Sequence, residues 1–182
     1  MANMETFYQG LMASESVQSY VGSLKFKANG DYAEIHDGAL AVLGELADSV
    51  SYDGTKDDNV YEAEAPKAVT DEVVIVDLAE ISQGVIAGNN YKMGIKLVGL
   101  RCMPGYAARY RHPMKNDRFW VSGDCFDKAP EVGKFAGVKA NDTHFAALDE
   151  KAAEGFCVKV IDSRDFTVGN GAYGSMYLCR VL

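Results

Sequence analysis

The stretch "KANGDYAEIHDGALAVLGEL" at residues 27–46 decides the expected fold class, because two tight-turn signals interrupt its apolar runs. Asn-Gly at 29–30 and Asp-Gly at 37–38 are dipeptides that tolerate positive φ, which short hairpin turns require. The segments that these turns bracket, "YAEI" and "ALAVLGEL", are therefore predicted to be strands. The stretch as a whole predicts β-hairpins.

The same pattern of short runs and turns continues to the end of the chain. "NVYEAEAP" at 59–66 alternates in polarity and "EVVIVDL" at 72–78 is a continuous β-branched run, both typical of strands. Further strands are expected near 91–100, 107–112, 118–123, 134–139, 156–162 and 176–182. Short strands separated by glycine-rich turns predict a mainly β fold, an antiparallel β-sandwich or barrel. One short helix is expected near 143–153.

Residues 1–25 are predicted to form an N-terminal arm that precedes a β-rich domain over 26–182. Apolar residues in this arm recur with helical spacing, although an extended arm would also suit them. They are Met4, Phe7, Tyr8, Leu11 and Met12. A terminus this apolar needs a surface to rest on, so Phe7, Tyr8 and Leu11 are candidate partner contacts. A division of the β-rich domain into 26–85 and 86–182 is left open.

Charge is unevenly distributed along this chain of 182 residues, which has a net charge of −8. Residues 1–66 hold 3 basic and 12 acidic side chains, whereas residues 67–182 hold 15 and 14. Because nucleic-acid binding depends on clustered positive charge, the overall acidity argues against a nucleic-acid partner. No apolar run approaches the ~20 residues of a membrane helix, and the N-terminus lacks a signal-peptide pattern. We expect synthesis in the cytoplasm and no membrane partner.

The cysteines and histidines do not form a recognisable motif. Cys102, Cys125, Cys157 and Cys179 contain no Cys-x-x-Cys pair, and we expect reduced, mostly buried thiols. His36, His112 and His144 are too widely spaced for the His-Glu-x-x-His pattern of zinc proteases. Any metal-ligand set would therefore have to be assembled by the fold.

Two other stretches also fail as chemical motifs. "GNGAYG" at 169–174 leads into "SMYLCRVL" and not into the helix of a dinucleotide-binding turn, so it is expected to be a loop between the two final strands. "DGTKDDN" at 53–59 lacks the ligand order of a calcium loop. We therefore expect a protein with no catalytic residues, no cofactor and no metal. The enzymatic alternative is a hydrolase that uses Cys125 with His112 or His144, or a metal held by aspartate and histidine.

The most basic stretch is "GYAARYRHPMKNDRFWVSGDCF" at 105–126. Strand alternation places Arg109 and Arg111 on one face, and it places Arg118 with Trp120 on one face of the following strand. The connection "HPMKND" suits a hairpin loop, so the stretch predicts a two-stranded hairpin with a basic and an apolar face. Arginine with aromatic side chains is typical of protein interfaces and also of single-strand nucleic-acid sites. In an acidic chain we expect these arginines to meet protein carboxylates.

The order of the segments resembles that of small structural proteins of tailed-bacteriophage virions, described as head decoration or cement proteins. The resemblance rests on "KANGDYAEIHDGALAVLGEL", "VYEAEAPKAVTDEVVIVDLAE", "RYRHPMKNDRFWVSGDCF", "PEVGKFAGV" and "GFCVKVID" in this order. It covers roughly residues 26–182, and every motif in it is short. The N-terminal arm and the basic, aromatic "RYRHPMKNDRFW" depart from the family pattern.

The resemblance implies a β-rich protein without an active site that binds the assembled capsid on its surface and stabilises it. The expected partner is the major capsid protein or another virion protein, and a homo-oligomer is expected, with a trimer as one option. Arg109, Arg111, Arg118 and Trp120 complete the candidate contacts. Two alternatives remain: another virion component, such as a tail, connector or fibre-base protein, or a single-stranded nucleic-acid-binding module that uses residues 101–120.

Overall fold

The computed structural model describes residues 5–17, 20–47, 60–78, 84–86, 89–91, 100–168 and 172–182. Their regular structure consists of strands and short 3-10 turns, at Ala13–Glu15 and Gly123–Cys125. This confirms the mainly β prediction. The strands are β1 (Phe7–Leu11), β2 (Val21–Ala28), β3 (Asp31–Tyr32), β4 (Ile35–His36), β5 (Leu40–Leu46), β6 (Val60–Glu64), β7 (Val74–Val76), β8 (Gly84–Ile86), β9 (Asn89–Tyr91), β10 (Arg101–Cys102), β11 (Ala108–Arg111), β12 (Arg118–Ser122), β13 (Phe135–Gly137), β14 (Ala146–Leu148), β15 (Cys157–Val168) and β16 (Ala172–Val181).

One half of the fold is a small barrel whose strands follow the order β11-β7-β5-β6-β2 and close because β2 also pairs with β11. Strands β2 and β6 run parallel, and the other pairs in this ring are antiparallel. Small side chains such as Ala41, Ala63 and Ala108 share its interior with Leu24 and Tyr110. A barrel of so few strands leaves little internal space, so small residues suit its interior.

The other half is an antiparallel sheet with the strand order β1-β12-β16-β15-β13-β14. Its inner face packs on the outside of the barrel. The core between them joins Phe119, Val121 and Val160 of the sheet to Leu40 and Ile75 of the barrel. The continuous run "VVIV" at 73–76 is apolar because strand β7 is buried on both of its faces, one toward the barrel interior and one toward this core.

The Asn-Gly signal in the opening stretch is confirmed as a hairpin, whereas the hairpin predicted at Asp-Gly 37–38 is wrong, because β4 pairs with β10 and β5 pairs with β6 and β7. Asn29 and Gly30 both have positive φ, 55° and 90°, and they connect β2 to β3 as an antiparallel hairpin. Gly38 in the Asp-Gly dipeptide has a φ of 75°. A Cβ there would lie 2.8 Å from the Sγ of Cys125, so glycine is required at this position for its conformation and for the contact.

The helix expected near 143–153 is absent, which corrects that prediction. Phe145 forms an isolated bridge with Phe126, and Ala146–Leu148 is the edge strand β14, which pairs with β13. Ala146 and Ala147 lie opposite Gly137 and Ala136, so strand pairing has overridden the helical preference of alanine.

The hairpin predicted from residues 107–112 and 118–123 is also wrong. Both strands form, but β11 belongs to the barrel and β12 belongs to the six-stranded sheet. The "HPMKND" connection therefore carries the chain from one sheet to the other. Its turn residue Asn116 has a φ of 73°, as its turn composition predicts.

The predicted boundaries of the arm and of the two subdomains do not coincide with the division between barrel and sheet. Phe7–Leu11 is not a separate arm: it is an edge strand of the six-stranded sheet, paired with β12. Val21–Ala28 spans the predicted boundary at 25/26 and lies within the barrel. Strand β11 lies in the barrel although it follows residue 85. The chain thus crosses between the halves, which share one core.

Candidate functional site

The predicted contacts Tyr8, Leu11, Arg118 and Trp120 lie together on the outer face of the six-stranded sheet. In the antiparallel β1–β12 pair, Tyr8 is opposite Trp120 and Leu11 is opposite Arg118. Their neighbours along these strands, Phe7, Phe119 and Val121, are fully buried in the core. Since side chains alternate between the faces of a strand, Tyr8, Arg118 and Trp120 face away from the core. Alternation alone would place Leu11 on the side of Phe7, and the register shift between Gln9 and Leu11 brings it to the outer side instead.

This outer face combines apolar and cationic groups. Leu11 is 64% exposed, and Arg118 is also exposed. The next strand, β16, adds Leu178 opposite Trp120 and Arg180 opposite Arg118. The guanidinium of Arg164 lies 4.3 Å from the centre of the Trp120 ring, a cation–π contact. We call this set of residues the outer sheet face: Tyr8, Leu11, Arg118, Trp120, Arg164, Leu178 and Arg180.

A bulge in β1 accompanies the exposure of Leu11. The register with β12 shifts between residues 9 and 11, at Gly10. A Cβ at Gly10 would lie only 2.5 Å from the carbonyl oxygen of Arg118, so this close backbone approach requires glycine. The sequence "QGL" at 9–11 is the local signal for this feature.

Phe7, the third candidate in the N-terminal segment, is not part of any surface. It is fully buried and packs against Phe119 with ring centroids 5.3 Å apart. Its backbone N–H donates a hydrogen bond to a carboxylate oxygen of Asp37, at 2.8 Å. The prediction that Phe7 contacts a partner is corrected for this fold, because the chain's own core covers the side chain.

Arg109 and Arg111 project from one face of β11, as predicted, and both bind the carboxylate of Asp77. The Nη2 of Arg109 lies 2.8 Å and the Nε of Arg111 lies 2.6 Å from the same oxygen of Asp77. Arg111 also donates to the hydroxyl of Ser14 at 3.0 Å and is buried, whereas the side chain of Arg109 is 37% exposed. The expectation that these arginines meet protein carboxylates holds within the monomer, and the prediction that Arg111 contacts a partner is corrected because its side chain is buried.

A cluster of ionisable side chains that the sequence did not reveal lies where barrel and sheet meet. Glu5, His36 and His144 place potential metal-binding atoms within 4.8 Å of one another. The two imidazole rings stack with centroids 4.7 Å apart. Arg101 holds both carboxylate oxygens of Glu5 at 2.8 Å, and it also pairs with Glu34 at 3.5 Å.

The two histidines are held by hydrogen bonds from their Nδ1 atoms. His36 Nδ1 donates to the carbonyl of Asp37 at 2.9 Å, and His144 Nδ1 donates to Asp142 at 2.8 Å. Burial lowers the pKa of His36 to about 4, although the bond to the Asp37 carbonyl opposes this shift. The His36 ring is therefore neutral near pH 7, with a lone pair on Nε2.

A cavity of about 470 Å³ opens beside this cluster. Glu5 and His144 form part of its wall, and Asp124, Ser175 and Tyr177 contribute further polar groups. A second cavity, of about 350 Å³, lies along β5 and β6 in the other half of the molecule.

The Cys125 nucleophile of the enzymatic alternative is not assembled. Cys125 is fully buried, and burial raises the pKa of its thiol to about 12, which the hydrogen bond with Ser122 only partly offsets. His112 packs edge-on against Tyr110, with ring centroids 5.4 Å apart. A protonated, enclosed thiol is not a nucleophile. All cysteines are free, and Cys157 and Cys179 are buried as predicted, whereas Cys102 is half-buried.

Several sequence predictions fall outside the described residues. They include Met4, the acidic turn at 53–59 and most of the strand expected at 91–100. The first residues of the "GNGAYG" loop, 169–171, are also among them.

No protein-family description matches this chain, and neither a curated protein nor a solved structure is similar enough to count as a match. In the described part of the chain, no helix has the length and apolar character needed to cross a membrane.

Sequence reasoning missed the Glu5, His36 and His144 cluster because its members come from distant parts of the chain. His36 is in β4, Glu5 precedes β1, and His144 precedes β14. The available signals were short polar neighbours: an aspartate follows His36, and Asp142 precedes His144 by two residues. Such neighbours show how a histidine can be oriented but not which residues it will meet.

Proposed function

We propose that this protein is a structural component of a tailed-bacteriophage virion that binds the assembled head shell and stabilises it. The observation that carries the proposal is the outer sheet face, where four of the residues chosen from sequence as partner contacts lie side by side. The order of motifs that resembles decoration proteins supports the same class. Virion surface and capsid protein are thus the proposed location and partner.

The chemistry of the outer sheet face suits a protein partner. Aromatic and arginine side chains are enriched at protein interfaces, and residues such as Leu11 and Trp120 add apolar area. Arg118, Arg164 and Arg180 give this face positive charge in a chain that is acidic overall. An acidic patch on the shell is therefore the expected complement.

The geometry of residues 101–120 favours a protein partner over single-stranded nucleic acid. Arg101, Arg109 and Arg111 are engaged by Glu5 and Asp77 inside the molecule. The segment is also divided between the barrel and the six-stranded sheet. It does not offer the continuous basic groove with stacked aromatics that tracks a single strand.

Co-sedimentation with head shells from the same phage tests the proposal. We expect the native protein to bind in many copies per shell, and we expect Arg118→Glu to weaken binding by about tenfold or more. Lys128→Glu makes the same charge change at another exposed residue and is the matched control. Absence of binding to shells and to other virion parts would overturn the proposal. Binding to single-stranded oligonucleotides, lost on Arg118→Glu, would replace it with the nucleic-acid function.

A further inference from the structure

Three side chains from separate segments converge beside the cavity at the junction of barrel and sheet. Glu5 and His36 are almost fully buried, at 2% and 4% exposure, and His144 is half-buried. Two imidazoles and one carboxylate form a common donor set of sites that bind transition metals such as zinc. The charge of the buried Glu5 carboxylate is already compensated by the guanidinium of Arg101, 2.8 Å from both oxygens, so the combination of donor groups, and not an unpaired charge, points to a metal.

Hydrogen bonds outside the cluster orient both histidines in the way that metal ligands are oriented. Each Nδ1–H donates to an oxygen, the Asp37 carbonyl for His36 and the Asp142 carboxylate for His144. In both rings the lone pair is therefore on Nε2. Metal-binding histidines usually donate their second N–H to a carbonyl or carboxylate, which fixes the ring and increases its basicity.

Arg101 is compatible with a metal at Glu5. A carboxylate offers about four lone-pair positions, and Arg101 uses one on each oxygen, both from a single nitrogen. Ligating carboxylates are commonly held by further hydrogen bonds of this kind. Glu34 also pairs with Arg101, at 3.5 Å, so the positive charge of Arg101 is itself partly offset.

We propose that Glu5, His36 and His144 bind one divalent transition-metal ion, Zn²⁺ in the first instance, with a fourth position open to the cavity. Zinc–nitrogen bonds are about 2.0–2.1 Å long, so donor atoms around one ion lie roughly 3–4 Å apart. The donor atoms now lie within 4.8 Å of one another, so side-chain movements of roughly 1 Å would bring them to the spacing that zinc requires. The hydroxyl of Thr143, which lies 3.2 Å from His36 Nε2, is displaced on binding.

The ion would cross-link three segments of the chain. Glu5 leads into the edge strand β1, His36 lies in β4 and His144 lies just before β14. A ligand that binds the folded state alone stabilises it in proportion to its concentration and affinity. Metal binding at this site does not depend on shell binding, so the two proposals can fail separately. The ion would also hold in place the strand that carries Tyr8 and Leu11.

Zinc titration of metal-depleted full-length protein, with bound metal measured after dialysis, tests the site. We expect one tightly bound ion per chain and a melting temperature that rises with zinc concentration. His144→Ala and Glu5→Gln are expected to lower the affinity at least tenfold. Asp142→Asn, which replaces the carboxylate that accepts from His144 Nδ1 with a neutral amide, is expected to lower it about tenfold.

His112→Ala is the matched control, because it removes the histidine that lies on Tyr110, outside the cluster. Thr143→Val removes only the competing hydroxyl, so this variant is expected to bind zinc at least as tightly as the native protein. Cobalt in place of zinc should give the intense visible bands of a four- or five-coordinate ion, and His144→Ala should abolish them. Failure to bind zinc, or equal losses in His112→Ala and His144→Ala, would overturn the proposal.

Discussion

Strands β11 and β12 lie only a few residues apart in sequence, and both carry arginines, yet these arginines have opposite environments. Arg109 and Arg111 on β11 converge on Asp77, and Arg111 is buried. Arg118 on β12 is exposed on the outer sheet face, next to Trp120 and across from Leu11. Arg109 and Arg111 stabilise the interior of the monomer, whereas Arg118 is accessible from outside it.

The comparison shows that composition alone does not distinguish a structural arginine from a surface arginine. What separates them is the neighbouring strand: β7 brings Asp77 next to β11, whereas β1 and β16 bring Tyr8, Leu11 and Arg180 next to β12. The consequences for stability should therefore be graded, with the largest effects in β11.

The largest effect is expected for Arg111→Ala. This change leaves the buried Asp77 carboxylate without one of its cations and removes the hydrogen bond to Ser14, so the free energy of unfolding should fall by about 3–5 kcal/mol. Urea unfolding measures it. Arg111→Lys retains the charge and should lose less. A loss below about 1 kcal/mol for the alanine variant would show that the buried pair does not support the barrel.

A smaller effect is expected for Arg109→Ala, which removes the second cation from the same carboxylate. The side chain is 37% exposed, and solvent therefore screens the pair, so we expect a loss of about 1 kcal/mol. The double variant with Arg111→Ala should depart from additivity because both arginines bind Asp77. If the effects were additive, the two arginines would be acting independently.

On the outer sheet face, Arg164→Ala should cost only about 0.5–1 kcal/mol, the range of an exposed cation–π contact. The chain has a single tryptophan, so Trp120 fluorescence reports this contact directly. We expect the emission of Trp120 to change in Arg164→Ala. Arg180→Ala, on the neighbouring strand, is the control that should leave the emission nearly unchanged.

The smallest effect on stability is expected for Arg118→Ala, within about 0.5 kcal/mol, because the side chain is exposed. Thermal or urea unfolding measures it, and the same variant should bind head shells less well than the native protein. A large loss of stability here would mean that Arg118 is a structural residue, which would remove the contrast with Arg111.

Several features were predictable because they depend on near neighbours in sequence. The Asn29-Gly30 turn forms a hairpin as its φ requirements indicate, and the alternation in "ARYR" places Ala108 and Tyr110 inside the barrel with the arginines on the other face. The helix near 143–153 failed because pairing of β14 with β13 outweighed a weak local preference. The prediction that Phe7 contacts a partner was corrected because a short apolar segment does not show which surface will cover it.

The sequence by itself determined the β class, the turn positions and, in regular strands such as β11, the face on which each side chain lies, since these follow from local sterics and the two-residue repeat of a strand. Only the tertiary structure decided that β11 and β12 belong to different sheets, that β1 is an edge strand, and that Glu5, His36 and His144 meet. Strand pairing joins residues as far apart as 7 and 121, and it is decided by the packing of the whole core rather than by any short segment.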